Sequence, residues 1–332
     1  MQIQAPYLLF LGDAPDDLAA KTAFGVAHWR PDRCAGQLRL AGCQPRLDLP
    51  EMDLDEAVRA GVKTLVIGVA NRGGVFADSW VQTMQGALER GMDIANGLHF
   101  RLTQVPGLKE LAQKHERWLF DLRHPDREFP IGTGKKRAGF RLLTVGTDCS
   151  VGKMFTALSI EREMAARGLK VDFRATGQTG ILIAGGGISV DAVVSDFLAG
   201  AVEELCPENE ADHWDVIEGQ GSLSHPSYAG VTLGLIHGAQ PDAMALCHEP
   251  TRSHMRGLVH QPMPDLAEAI ELNERAARLT NPAARCIGLA LDTSRLEEAA
   301  ANSLIQETAA RIGLPCVDPV RNGIAALLDQ LP

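Results

Sequence analysis

The residues best placed for chemistry lie together: Gly146, Thr147, Asp148, Cys149, Ser150, Val151, Gly152, Lys153 and Met154. The apolar run Leu142–Val145 leads into them, and a helical stretch beginning at Lys153 follows. A glycine-bracketed loop between a strand and a helix turns its backbone N–H groups inward. With the helix dipole and a lysine, that makes a cradle for phosphate. The flanking strand and helix are the context that separates such a loop from an ordinary tight turn.

The usual phosphate loop follows its lysine with Ser or Thr, whose hydroxyl holds Mg²⁺. Here that residue is Met154, and a thioether is a poor ligand for a hard cation. Two readings remain. Asp148 and Glu218 hold Mg²⁺ instead and the ligand is Mg-ATP. Or no metal is needed, because the phosphates are the pyrophosphate of a cofactor such as coenzyme A. The second needs fewer substitutes, and no resident metal is expected.

Two more strand ends support the loop. Asp215–Ile217 runs into Glu218, Gly219, Gln220 and Gly221, placing an acid where phosphate-loop folds put one facing the phosphates. Val171–Ala175 ends in Thr176, Gly177, Gln178 and Thr179. Arg174 on that strand has the fork to grip a carboxylate, or equally to pair with a neighbouring acid. His248, Glu249 and His254 have irregular spacing for a metal site, and packing is the expected role of the glycines at 73–74 and 185–187. Cys149 just before a helix suits a thiolate, although a small residue that simply fits is the preferred reading.

The elements that position these residues alternate. Before residue 124, strands are expected at Leu8–Leu11, Thr64–Val69, Asp93–Ala95 and Trp118–Leu122, with helices at Leu54–Ala60 and Trp80–Arg90. No GxGxxG follows the first strand, so no NAD site is expected. After residue 140, strands are expected at Arg141–Val145, Val171–Ala175, Asp215–Glu218, Ala243–His248 and Cys286–Leu291, with a short one near Cys316. Helices are expected at Phe155–Arg167, Asp191–Glu203, Leu266–Leu279, Leu296–Ile312 and Ile324–Leu331. The fold class is therefore α/β: a Rossmann-like parallel-sheet domain over 1–123, then a phosphate-loop domain over 140–332. The proline- and glycine-bearing stretch 124–139 reads as a linker, with Lys135, Lys136 and Arg137 as its solvated face.

Composition narrows the partners. The 332 residues carry a net charge of −10, which disfavours nucleic acid and anionic membranes while leaving a local anion site open. Seven cysteines without a CxxC pair fit free thiols in a reducing cytoplasm. No signal sequence and no membrane-spanning run is expected.

The phosphate-loop segments resemble dethiobiotin synthetase, with Met154 and Arg174 as departures. A fuller resemblance spans nearly the whole chain. It rests on Leu65–Gly74, the loop through Met154, Ala175–Gly180, Ile217–Pro226 and His248–Arg252. On these the chain resembles the two-domain family associated with D-glutamate N-acetyltransferase. The resemblance implies acetyl-CoA as donor, D-glutamate or a similar amino acid as acceptor, and a homo-oligomer. Acetyl transfer then needs a base, for which His225 and Glu218 compete, with Asp148 beside them in the loop. The N–H groups of the Gly219–Ser222 turn would serve an oxyanion. Arg174, Arg252 and Arg72, in that order, would meet the acceptor's carboxylates, with Thr176 and Gln178 as polar partners.

Overall fold

A computed structural model describes residues 3–69, 76–125 and 127–331. The chain divides into two compact units, residues 1–126 with 177–192, and residues 127–176 with 193–332. Stretch 177–192, which the sequence pattern leaves with the second half, thus clusters with the first.

In the first unit the chain runs β1 (Tyr7–Gly12), α1 (Lys21–Trp29), β2 (Cys34–Arg39), α2 (Leu54–Arg59), β3 (Thr64–Ile67), α3 (Asp78–Glu89), β4 (Asp93–Asn96), α4 (Leu108–Lys114) and β5 (Leu119–Asp121). The five strands are all parallel, in the order β2-β1-β3-β4-β5. β1 and β3 are buried along their whole length because helices cover both faces of a parallel sheet, which is why both read as unbroken apolar runs. Asp53 caps α2 by accepting from the Glu56 N–H while Glu56 answers to the Asp53 N–H. Gly91, at φ +81°, closes the end of α3 as expected.

In the second unit the order is β6 (Phe140–Gly146), α5 (Lys153–Ala166) and β7 (Lys170–Arg174). α6 (Gln178–Ala184) follows in the stretch that clusters with the first unit. Then come α7 (Ser195–Leu205), β8 (His213–Ile217), α8 (Ala229–Ala239), β9 (Ala243–His248), β10 (His254–Met255) and β11 (Leu258–Pro262). α9 (Leu266–Arg278), β12 (Arg285–Leu291), α10 (Glu298–Ile312), β13 (Cys316–Val317) and α11 (Ala325–Leu328) complete it. β10 and β11 form an antiparallel hairpin, and the other six strands form a parallel sheet, β13-β12-β9-β6-β8-β7. One face packs Leu142, Val216, Ala245 and Ile287 against Ile160 and Met164 of α5 and Leu327 and Leu328 of α11.

Successive connections leave β6 toward β7 and β8 on one side and return to β9 and β12 on the other. In open parallel sheets a ligand crevice lies outside the carboxyl ends of the strands where the order reverses. The loop after β6 sits there, between the ends of β8 and β9.

Residues 127–139 are not a free linker. Thr133 and Gly134 donate to the Glu203 carboxylate of α7, and Lys136 pairs with Asp242 at 2.7 Å. Arg137 donates to Gly238 O at 2.7 Å, so the basic triplet is partly built into the second unit.

Candidate functional site

Ser150 (φ +53°) and Gly152 (φ +89°) turn the loop after β6 in the left-handed region and deliver the chain to α5. Lys153, buried at the first position of α5, folds back so that Nζ donates to Asp148 O at 2.7 Å. Burial pulls its ammonium below its ordinary pKa. A buried cation whose hydrogen-bond partner among the described residues is a backbone carbonyl gains much from a phosphate in its reach. A Cβ on Gly146 would fall 3.1 Å from that Nζ and 2.9 Å from Val151 Cγ2, so glycine is required where the lysine returns.

Asp148 is fully buried, and its carboxylate is already engaged. Oδ2 accepts from Arg252 Nη1 at 2.6 Å and from the Arg256 N–H at 2.7 Å, and Oδ1 accepts from the Cys149 N–H at 2.6 Å. A carboxylate tied to a guanidinium is a poor replacement for the missing Mg²⁺ ligand. Asp148, Cys149 and His225 do bring ligand atoms within 4.8 Å of one another. With Arg252 and Lys153 alongside, the electrostatics of that space suit an anion better than a cation.

Cys149 does not carry a thiolate: burial pushes its thiol up, with Lys153 opposing. The packing reading preferred from sequence fits this, and the thiolate reading does not.

Glu218 follows β8, nearly buried. Thr176, at the end of the neighbouring strand, donates its N–H to Glu218 Oε2 at 2.9 Å and its hydroxyl to Glu218 O at 2.6 Å. Gln220 Nε2 donates to the Thr176 hydroxyl at 3.2 Å. Thr176, expected to touch the acceptor, is spent on orienting Glu218. The next residue must be glycine, since a Cβ there would lie 1.7 Å from Thr144 O. The Gly219 N–H donates to Thr144 Oγ1 at 2.9 Å, so it is not available to an oxyanion as the sequence pattern suggested.

His225 comes to the loop as well, its Nε2 3.9 Å from Asp148 Oδ1. Its Nδ1 accepts the Ser227 N–H at 3.1 Å, which puts the proton of the neutral ring on Nε2. In this geometry His225 is a donor toward the loop, and its acceptor nitrogen is already used.

Arg174 lies elsewhere. It donates to Asp215 at 2.7 Å and to Asp172 at 3.0 Å, the structural ion pair that was the rival reading from sequence. Gln178 belongs to the first unit, its side chain against Gly97. Arg72 lies outside the described residues.

Arg252 is brought to the phosphate loop, where it meets Asp148, Cys149 and Ser150. Arg256, missed from sequence, donates from its backbone to Asp148 and from Nη1 to the Ser150 hydroxyl. No spacing signal could reveal this, because it depends on β9 lying beside β6.

His248 ends β9 and shares a 2.9 Å hydrogen bond between Nδ1 and Thr147 Oγ1. Burial lowers its pKa to about 4, helped by Arg252 and opposed by Glu249, so it is neutral at neutral pH. The folded value lies below the ordinary 6.5, so the unfolded chain binds the extra proton first. This share of stability is whole above about pH 6.5 and is lost as pH falls toward about 4. Chemical denaturation at about pH 7 and about pH 4.5 should show the wild type losing roughly 2–3 kcal/mol more than His248→Gln. Equal losses would mean that His248 is protonated in the folded protein at no cost.

Among the described residues no helix is long and apolar enough to cross a membrane. Residues 130–328 match the model of a domain of unknown function described as the DUF1611 P-loop domain, and residues 34–125 match its Rossmann-like N-terminal domain. A protein of Tritonibacter scottomollicae named D-glutamate N-acetyltransferase is 54% identical over 329 residues, covering 99% of each chain. A second of that name, from a Pseudoalteromonas species, is 50% identical over 331 residues and covers 100% of each. The crystal structure of a DUF1611 family protein from Anabaena variabilis superposes with a TM-score of 0.87 at 33% identity, covering 98% of this chain and 99% of that one. The two sheets, the phosphate loop and the end-to-end likeness agree: the chain belongs to the DUF1611 family, with its Rossmann-like N-terminal and P-loop C-terminal domains.

Proposed function

We propose that this protein transfers the acetyl group of acetyl-CoA to the amino nitrogen of D-glutamate, giving N-acetyl-D-glutamate. The observation that carries the reading is identity of 54% and 50%, along essentially whole chains, to proteins named for that activity. The site supports it. The phosphate loop offers backbone N–H groups and a buried lysine, while Met154 and the Arg252-bound Asp148 leave Mg²⁺ poorly served. A pyrophosphate that needs no metal, such as that of coenzyme A, suits this loop better than Mg-ATP does.

Transfer joins the amine nitrogen to the thioester carbonyl carbon and breaks the carbon–sulfur bond. It yields the amide, the CoA thiol and one proton. Three demands follow: the ammonium must lose a proton, the thioester oxygen must be stabilised as charge builds on it, and the thiolate must leave. Glu218 takes the proton, held in place by Thr176. His225, with its proton on Nε2, donates rather than accepts. Seven free cysteines support a cytoplasmic setting, and the assembly we propose is a symmetric homo-oligomer.

The test is CoA release by the purified protein. It is run with D-glutamate, L-glutamate and other amino acids, beside an assay for ADP formation from Mg-ATP. Release with D-glutamate and metal-free buffer is expected. ADP formation without CoA release would move the protein to ligase or kinase chemistry.

A further inference from the structure

Arg252 makes an unusual set of contacts for a residue proposed to meet a substrate carboxylate. Nη1 donates to Asp148 Oδ2 at 2.6 Å and to Cys149 O at 2.8 Å, Nη2 donates to Ser150 O at 3.0 Å, and Nε donates to Glu249 Oε2 at 3.2 Å. Glu249 is itself fixed, accepting from the N–H of Thr251 at 2.9 Å and from the Thr251 hydroxyl. The guanidinium therefore grips two successive backbone carbonyls of the phosphate loop while two carboxylates hold it still.

Peptide geometry gives this grip a consequence. In a trans peptide the carbonyl and the following N–H point opposite ways. Cys149 O shares its peptide with the Ser150 N–H, and Ser150 O shares its peptide with the Val151 N–H. Drawing both carbonyls to Arg252 turns both N–H groups to the other side. The preceding peptide behaves differently: Asp148 O meets Lys153 Nζ, and the Cys149 N–H meets Asp148 Oδ1. Between them stands Ser150 at φ +53°, a backbone state that a residue with a Cβ keeps only when its surroundings hold it. Arg252 on its carbonyl and Arg256 on its hydroxyl are that hold.

We propose that Arg252 is a positioning residue of the phosphate loop, orienting the Ser150 and Val151 N–H groups toward the cofactor's phosphates, and not a clamp for the acceptor amino acid. Its guanidinium reaches four oxygens at once, one more than the three N–H donors of a lysine ammonium could meet. The affinity part of this inference rests on acetyl-CoA being the ligand of the loop.

The experiment compares wild type, Arg252→Lys and Arg252→Met as full-length proteins. It measures calorimetric acetyl-CoA affinity, the KM for D-glutamate at saturating acetyl-CoA, and amide hydrogen exchange across residues 147–154. Arg252→Met should weaken acetyl-CoA binding about ten- to hundredfold, and Arg252→Lys should weaken it less. The KM for D-glutamate should hold, and exchange at Ser150 and Val151 should quicken while β9 stays protected. A raised KM for D-glutamate with unchanged acetyl-CoA affinity would make Arg252 the acceptor clamp and overturn the proposal. Unchanged exchange at Ser150 and Val151 would overturn it as well. A wild type that does not bind acetyl-CoA would refute the proposed donor, and the exchange arm would still decide whether Arg252 orders the loop. Should Arg252→Met fail to fold, Arg252→Lys carries both readouts.

Discussion

Glu218→Gln is expected to lower kcat by about 10²–10⁴-fold, the range over which a positioned acid or base acts, with acetyl-CoA affinity unchanged. The change is nearly isosteric, so the amide oxygen can still accept the Thr176 N–H that now bonds Glu218 Oε2 at 2.9 Å. What it removes is the capacity to take a proton. The alternative base is weaker on geometry: His225 already spends Nδ1 on the Ser227 N–H and directs Nε2 toward Asp148. His225→Gln is therefore the control, with a smaller fall expected. A melting curve for each variant separates lost chemistry from lost packing, because Glu218 is buried at the join of two strand ends. If Glu218→Gln kept full kcat, the carboxylate would be a brace for Thr176, and the proton would have to leave by another route.

The parts of the site legible from sequence are those written contiguously. The phosphate loop is one segment, so its strand, turn residues, lysine and helix could be read in order, and the missing hydroxyl at Met154 was visible with them. Glu218 was legible as a strand-end acid beside glycines. Its dependence on Thr176 was not, because that follows from β7 and β8 lying in register, Arg174 opposite Ile217. The same register places Asp172 opposite Asp215, and the pair of acids captures Arg174, the ion-pair alternative to a substrate grip. Arg252 came close: its arrival at the site was expected, while its contacts with the backbone carbonyls of the loop were not. Only the pairing of β6 with β9, Gly146 opposite Cys247, shows that residues 249–256 must pass the loop.

Among the folding elements, most strands of both sheets were readable because burial on both faces leaves continuous apolar runs. α8 was not. Gly230, Gly234 and Gly238 look like helix breakers by propensity. In the fold a Cβ at Gly234 would meet Leu198 at 2.7 Å, and one at Gly238 would meet Ala199 O at 2.3 Å. Gly234 and Gly238 let α8 approach α7 closely, and a tertiary contact of that kind overrides local propensity. The β10–β11 hairpin was missed for a related reason: much of it is exposed, so it carries no apolar alternation.

Lys153→Ala should cost roughly a hundredfold in acetyl-CoA affinity, yet leave the empty protein as stable as the wild type or more so. Both halves follow from one fact. The ammonium is buried with a backbone carbonyl as its hydrogen-bond partner, and burial pulls its pKa below the ordinary lysine value. A buried cation without a matched anion costs folding free energy, and alanine removes that cost. Phosphate supplies the anion, so in the complex the lysine regains a high pKa. A group whose pKa rises on binding takes up protons, and affinity then falls as pH rises between its free and bound values. Calorimetry in buffers of different ionisation enthalpy should find proton uptake on the alkaline side for the wild type and none for Lys153→Ala. Uptake that survives the substitution would assign the proton to another group. Undiminished affinity would place the phosphates away from this loop, and with them the donor half of the proposed reaction.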